Sequence, residues 1–262
     1  MSFNGKMKTI ADNIRAKTGG TQSLNLEAMA DGINEVYEKG RTDEWSDFWD
    51  EFQQNGTRTD YSYSFYMMNG RSGWSDINFK PKYSMYPTSM NRFFTRSRVT
   101  DFKKILNDRE LILDTSNCTN FNMAFSQSNV SRVGILNLEN CIDFTDAFAW
   151  ANYIESIDLI VLSEKATTRW NSPFVGCYLL KEIRFGGVIP QSIGFASSPL
   201  TVESMKSVIT HLKNYAGTSN AGVHTLTLKD TCKTVMAELG AIPEFNNKTY
   251  DAYLTDIGWN LA

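Results

Sequence analysis

Histidine is nearly missing from this sequence, with 2 in 262 residues, His211 and His224. Neither has a Cys, an Asp or a second His at ligand spacing, which removes the usual zinc arrangements. The 4 cysteines, Cys118, Cys141, Cys177 and Cys232, are scattered and form no C-x-x-C pair. That pattern suits neither a disulfide framework nor a structural metal site, and it predicts buried free thiols. No apolar run approaches the roughly 20 residues that cross a bilayer, and the opening MSFNGKMKTIADNI lacks the apolar stretch of a secretory signal. Membrane insertion is not expected. The chain is expected to be made in the cytoplasm, leaving it only by lysis or by assembly into something larger. Positive charge is also sparse: the net charge is −3, and the one basic stretch, Arg92 to Lys104, alternates with hydroxyl and apolar residues. Nucleic acid, whose binding needs clustered Lys and Arg, is not an expected partner.

The signatures of nucleotide, hydrolase and metal sites are missing as well: G-x-x-x-x-G-K-[ST], G-x-G-x-x-G, G-x-S-x-G, H-E-x-x-H and the EF-hand loop. No catalytic residue, metal ligand or cofactor is assigned. Carboxylates are plentiful, and a glycosidase pair is defined by distance in space rather than in sequence, so a glycan-degrading enzyme remains an alternative. Most of these carboxylates, Asp43, Asp47 and Asp50 among them, read as a solvated face. The chain is expected not to be an enzyme.

What is abundant is aromatic area, 13% of residues, enough to build a sizeable core. In DEWSDFWDEFQQNG (43–56), Trp45, Phe48, Trp49 and Phe52 recur at i, i+3, i+4 and i+7, one face of a helix. Asp43, Glu44, Asp47, Asp50 and Glu51 fill the other face. Two thinner helices are expected before it: one with Met7, Ile10 and Ile14, and one capped by Asn25 with Leu26, Met29, Ile33, Val36 and Tyr37 inward. Segments so narrowly apolar suit docking or oligomerisation.

From about 60 to 190 an internal repeat emerges. Cys118, Phe121, Ala124 and Phe125 recur 23 residues later as Cys141, Phe144, Ala147 and Phe148. Val130, Val133 and Ile135 correspond to Ile154, Ile157 and Leu159, and Phe174, Leu180, Ile183 and Phe185 continue the series. Phe94, Val99 and Phe102 precede it at a looser spacing. Each unit is a Phe in a bent or helical piece followed by Φ-x-x-Φ-x-Φ, where Φ is apolar. Such a period predicts a solenoid with one short strand per turn. Phe94, Phe125, Phe148, Phe174, Cys118 and Cys141 would form its repeat core. The aromatic helix before the first turn would cap the open end, with Trp45, Phe48, Trp49 and Phe52 inward.

In DYSYSFYMMNGRSGW (60–74), Tyr61, Tyr63, Phe65 and Met67 alternate with Ser62, Ser64 and Tyr66 as on a strand. This is read either as a first, atypical turn of the repeat or as a sugar platform, with Tyr66 and Trp74 as candidate glycan contacts. After 190 the repeat stops. A helix capped by Thr201 places Met205, Val208, Ile209 and Leu212 inward, a strand covers 223–230, a second helix runs from an Asp230 cap to Gly240, and a third carries Tyr250, Tyr253, Leu254 and Ile257.

The run FWDEFQQNGTRTDYSYSF…GRSGWSDINFKPKY, followed by Phe-centred repeats, resembles leucine-rich-repeat (BspA-like) tail proteins of phages and prophages of Gram-positive bacteria. The opening IADNIRAKTGGTQSLNLEAMADGI, PLTVESMKSVITHLKN with HTLTLKD, and the closing IGWNLA are similar to the ends of such proteins. The resemblance implies a virion protein of the tail fibre, tail tip or baseplate, acting in structure or host attachment, with no reaction to carry over. Its implied partners are other tail or baseplate proteins, through residues 1–41, and a host-surface protein or glycan; homo-oligomer formation stays open. The alternative is a bacterial leucine-rich-repeat interaction module or adhesin. The expected fold is α+β: a helical segment (1–41), a capped leucine-rich-repeat-like β-solenoid (42–190) and an α/β C-terminal cap (191–262).

Overall fold

In the computed structural model of the chain, residues 49–65, 81–167 and 169–262 are described. The chain divides into two units, Met1–Asn55 and Gly56–Ala262. The described part of the first unit is helical at 49–52. There Trp49 is buried and meets Phe52 edge-on, with 5.5 Å between ring centroids. Trp45, Phe48 and the helices expected over 1–41 lie outside the described residues.

In the second unit the Phe-centred segments form turns that lie over one another. Residues 60–65, 89–94, 120–125, 143–148 and 169–174 occupy equivalent places, and their first residues, Asp60, Ser89, Asn120, Asp143 and Arg169, are joined by parallel bridges. The Asp60, Asn120 and Asp143 side chains each accept the N–H two residues on, from Ser62 (2.8 Å), Asn122 (3.1 Å) and Thr145 (3.1 Å). This local bond replaces a strand ladder and bends the chain. The fourth residue of each turn, Tyr63, Arg92, Met123, Asp146 or Ser172, is left-handed, with φ from 35° to 56°. The backbone N–H freed there is donated to the following turn: Tyr63 to the Asn91 carbonyl, Arg92 to Asn122, Met123 to Thr145, each within 2.9 Å. Every such group must find a partner once buried, and here the partner is the next copy of the motif.

The Phe that ends each turn points into the core. Phe65 and Phe94 stack at 5.2 Å, Phe125 and Phe148 at 5.3 Å with only 4° between ring planes, and Phe148 and Phe174 at 5.4 Å and 6°. Phe195 continues the row at 5.0 Å from Phe174. Cys118, Cys141 and Cys177 are buried free thiols beside this row. Burial pushes each thiol up to about 12, so they behave as small apolar side chains.

Three of the Φ-x-x-Φ-x-Φ segments become strands: β1 (Arg132–Leu138), β2 (Ser156–Leu162) and β3 (Glu182–Gly187). They pair in parallel, with Val133 opposite Ile157 and Ile157 opposite Ile183. The corresponding stretch after Phe94 is instead a helix, α1 (Phe102–Asn107), because the Asp101 side chain caps it, accepting from Lys104 N at 3.0 Å, while Phe102 and Leu106 turn inward. Past β3 the sheet ends. Gly187 has φ +70°, and a Cβ there would lie 2.0 Å from the Leu162 carbonyl oxygen. The open edge of β3 is closed by hydroxyls of α2 (Val202–Thr210): Ile183 N donates to Ser204 Oγ and Phe185 N to Ser207 Oγ, both at 2.9 Å. A helix laid over a free edge stops further pairing.

A second parallel sheet follows, ordered β4 (Ile193–Phe195), β5 (His224–Leu228), β6 (Trp259–Leu261), with α3 (Asp230–Glu238) and α4 (Tyr250–Asp256) in the β5–β6 crossover. The expected leucine-rich-repeat-like β-solenoid is therefore corrected. The class is α+β, but the described residues carry two separate three-stranded sheets rather than one sheet running through all the repeats. Two smaller expectations change as well. Residues 61–65 form a turn, not a strand, so Tyr63 is exposed while Tyr61 and Phe65 are buried. The N-cap of α3 is Lys229 rather than Asp230.

Candidate interaction surface

The repeat-core residues Phe94, Phe125, Phe148, Phe174, Cys118 and Cys141 are all inside the fold and offer nothing to a partner. Tyr66 and Trp74, the glycan contacts expected from sequence, lie outside the described residues. The exposed rings are elsewhere, and the sequence reading passed over them. Two residues beyond each core Phe, the chain again turns left-handed, at Arg96, Gln127, Trp150 and Gly176, with φ from 55° to 74°. A side chain at that corner faces solvent, so an aromatic there is displayed. Its equivalents, Arg96, Gln127 and Gly176, are polar or lack a side chain, and that column was the available signal.

Trp150 is 48% exposed, with Tyr153 at 56% and Tyr178 at 51% close by in sequence or space. The Trp150 and Tyr178 rings stand 6.4 Å apart at 55°. The indole lies over Gly176, where a Cβ would meet Trp150 Cε3 at 2.5 Å. Glycine is thus what lets the large ring lie flat against the next turn. The Trp150 N–H donates to the Val175 carbonyl at 2.6 Å and fixes the corner from the backbone side.

Gln127, Ser128, Asn129, Trp150, Asn152 and Tyr153 enclose an open groove of about 420 Å³. None of them is charged. Gln127 Oε1 accepts from Arg96 Nε at 2.9 Å, which orients the amide and leaves its NH2 as a donor. The buried Ser128 hydroxyl has no hydrogen-bond partner among the described residues. A second groove of about 420 Å³ includes Trp170, Asn171, Gln191, Ser192, Thr225 and Thr227, but there the indole N–H is taken by the Ser192 carbonyl at 2.7 Å. A third, of about 690 Å³, lies against β2 and β3 and is charged, with Asp158, Glu182, Arg184 and Glu203 in its lining.

Several titratable groups have displaced pKa values with local causes. The Asp60 and Asp114 carboxyls are held below their ordinary value by backbone N–H groups of Ser62 and Ser116. Burial raises Asp146, with Asp143 adding repulsion. His224 is lowered by burial and then by Lys213, and it stacks on Tyr215 at 4.3 Å between centroids. Among the described residues, no group of His, Cys, Asp and Glu is placed to hold a metal ion, and no helix is long and apolar enough to cross a membrane. No family model matches the chain, and no match was found among curated proteins or solved structures.

Proposed function

We propose that this chain is a non-enzymatic structural protein of a phage or prophage tail, a component of the tail fibre, tail tip or baseplate that contributes to attachment at the host surface. The observation that carries the reading is the resemblance of FWDEFQQNGTRTDYSYSF…GRSGWSDINFKPKY, with Phe-centred repeats behind it, to tail proteins of phages and prophages. The geometry supports a binding role over a catalytic one. The exposed rings Trp150, Tyr153 and Tyr178 lie on the surface of the stacked turns, while displaced pKa values such as those of Asp60 and Asp114 are accounted for by turn hydrogen bonds. Binding residues held on a rigid frame are the common arrangement for recognition. Residues 1–41 are assigned to docking on neighbouring tail proteins.

The test is adsorption. Particles produced without this protein, and complemented particles as control, are mixed with host cells and unadsorbed particles are counted. Slower adsorption restored by complementation is expected. Equal adsorption with and without the protein would remove the attachment role.

A further inference from the structure

The groove bounded by Gln127, Asn129, Trp150, Asn152 and Tyr153 combines exposed aromatic rings with uncharged amides. Two large rings, Trp150 and Tyr153, stand half exposed at its side, each with an apolar face and a polar tip of the kind that interfaces use. Its other walls are amides, which donate and accept at once. One of these, Gln127, is held in place by Arg96. Ser128 lies in the same lining, with its hydroxyl buried and without a hydrogen-bond partner among the described residues. No lining residue carries charge.

We propose that this groove binds a neutral glycan, with a pyranose ring laid on Trp150 and Tyr153 and its hydroxyls bonded by Gln127, Asn129 and Asn152. A pyranose has a face of C–H groups that suits an aromatic ring and an edge of hydroxyls that both donate and accept, which is what side-chain amides pair with. An acidic ligand would call for cations, and an apolar peptide segment would leave the amides unpaired at a cost. Tyr178, 6.4 Å from Trp150 across the turn boundary, extends the platform for a second sugar unit. The proposal deepens the attachment reading and rests on it only for the source of the glycan, the host surface.

The experiment screens the purified full-length chain on an array of neutral and acidic bacterial surface glycans, then titrates the binders in solution by tryptophan fluorescence. A neutral glycan is expected to bind saturably, with little change between low and high salt, since no charge pairing is involved. Trp150→Ala and Tyr153→Ala are expected to weaken that binding by about tenfold or more, as for central anchor residues. Because Trp150 also packs on Gly176, Tyr153→Ala and Asn152→Ala serve as variants at exposed positions whose melting temperature should be unchanged. No neutral binder, binding unaffected by all these substitutions, or preference for acidic glycans abolished by salt would overturn the proposal. Glycan binding by a protein that is missing from tail particles would spare the groove and sink the tail reading. A particle-borne protein that binds no neutral glycan would do the reverse.

Discussion

Phe125 and Phe148 are each fully buried and stack on one another with nearly parallel ring planes. Removing either ring leaves a cavity flanked by further rings that cannot close in, since Phe121, Phe94 and Phe174 are held by their own turns. Phe125→Ala and Phe148→Ala should each cost about 3–5 kcal/mol, measured by denaturant unfolding. Losses below about 1 kcal/mol would mean that the row is not the core. The thiols give a second check at this scale. With Cys118, Cys141 and Cys177 buried and pushed up to about 12, a thiol-reactive dye at pH 8 should label none of them in the native protein and all of them after unfolding; rapid native labelling would show that the turns open readily.

The turn carboxylates contribute to the acid limit of stability. The Asp60 and Asp114 pKa values are lowered from an ordinary 3.8, first by the backbone N–H of Ser62 and Ser116. A carboxyl whose folded pKa is depressed stabilises the fold above its unfolded pKa and loses that contribution as pH falls through the folded value. Melting temperature should therefore drop below about pH 4, and more shallowly in an Asp60→Asn, Asp114→Asn double variant, whose amide oxygens still accept the turn hydrogen bonds. Asp146 acts in the opposite sense: burial raises it, so it opposes folding once ionised and offsets part of the acid loss. An identical acid limb in wild type and double variant would contradict this assignment.

At the scale of elements, Ser204 joins α2 to the first sheet. Its hydroxyl accepts from Ile183 N at 2.9 Å and donates to the Lys181 carbonyl at 3.1 Å, in a buried position. Ser204→Ala leaves both groups without that partner and should cost about 1–3 kcal/mol. Thr201→Ala, which removes the helix cap and the hydrogen bond from Thr201 Oγ1 to the Ser204 hydroxyl but leaves Ser204 on Ile183 N, should cost about 1 kcal/mol. Equal losses would mean that the sheet edge is not what Ser204 serves. This junction also shows what could and could not be read in advance. The register of Val133, Ile157 and Ile183 was legible because the 24- and 26-residue offsets between them align apolar positions. So were α2 with its Thr201 cap and the burial of the Phe column. That the repeat stops near 190 was legible too, but the closure of the sheet edge was not, because it depends on Ser204 and Ser207 reaching Ile183 and Phe185 through tertiary placement. The bend at 60–65 was misread because alternating Tyr and Ser look like a strand, while the Asx bond from Asp60 to Ser62 favours a turn. The displayed Trp150 was missed because only the apolar columns of the repeat were aligned. The column Arg96, Gln127, Trp150, Gly176 is an outward one.

For the whole molecule, the division at Asn55 separates an N-terminal unit from the stacked turns and sheets. Deleting residues 1–41 is expected to leave a cooperatively melting protein that no longer enters particles; loss of the melting transition would show instead that the segment belongs to the core. The central claim is that this chain is part of a phage or prophage tail. Its most direct test is quantitative mass spectrometry of particles purified from lysates of the bacterium that carries the gene, set against the soluble and cell-surface fractions of the same cells. The account predicts enrichment of the chain in particles at a fixed ratio to the tail proteins. Presence in the soluble or cell-surface fraction with none in purified particles would contradict it.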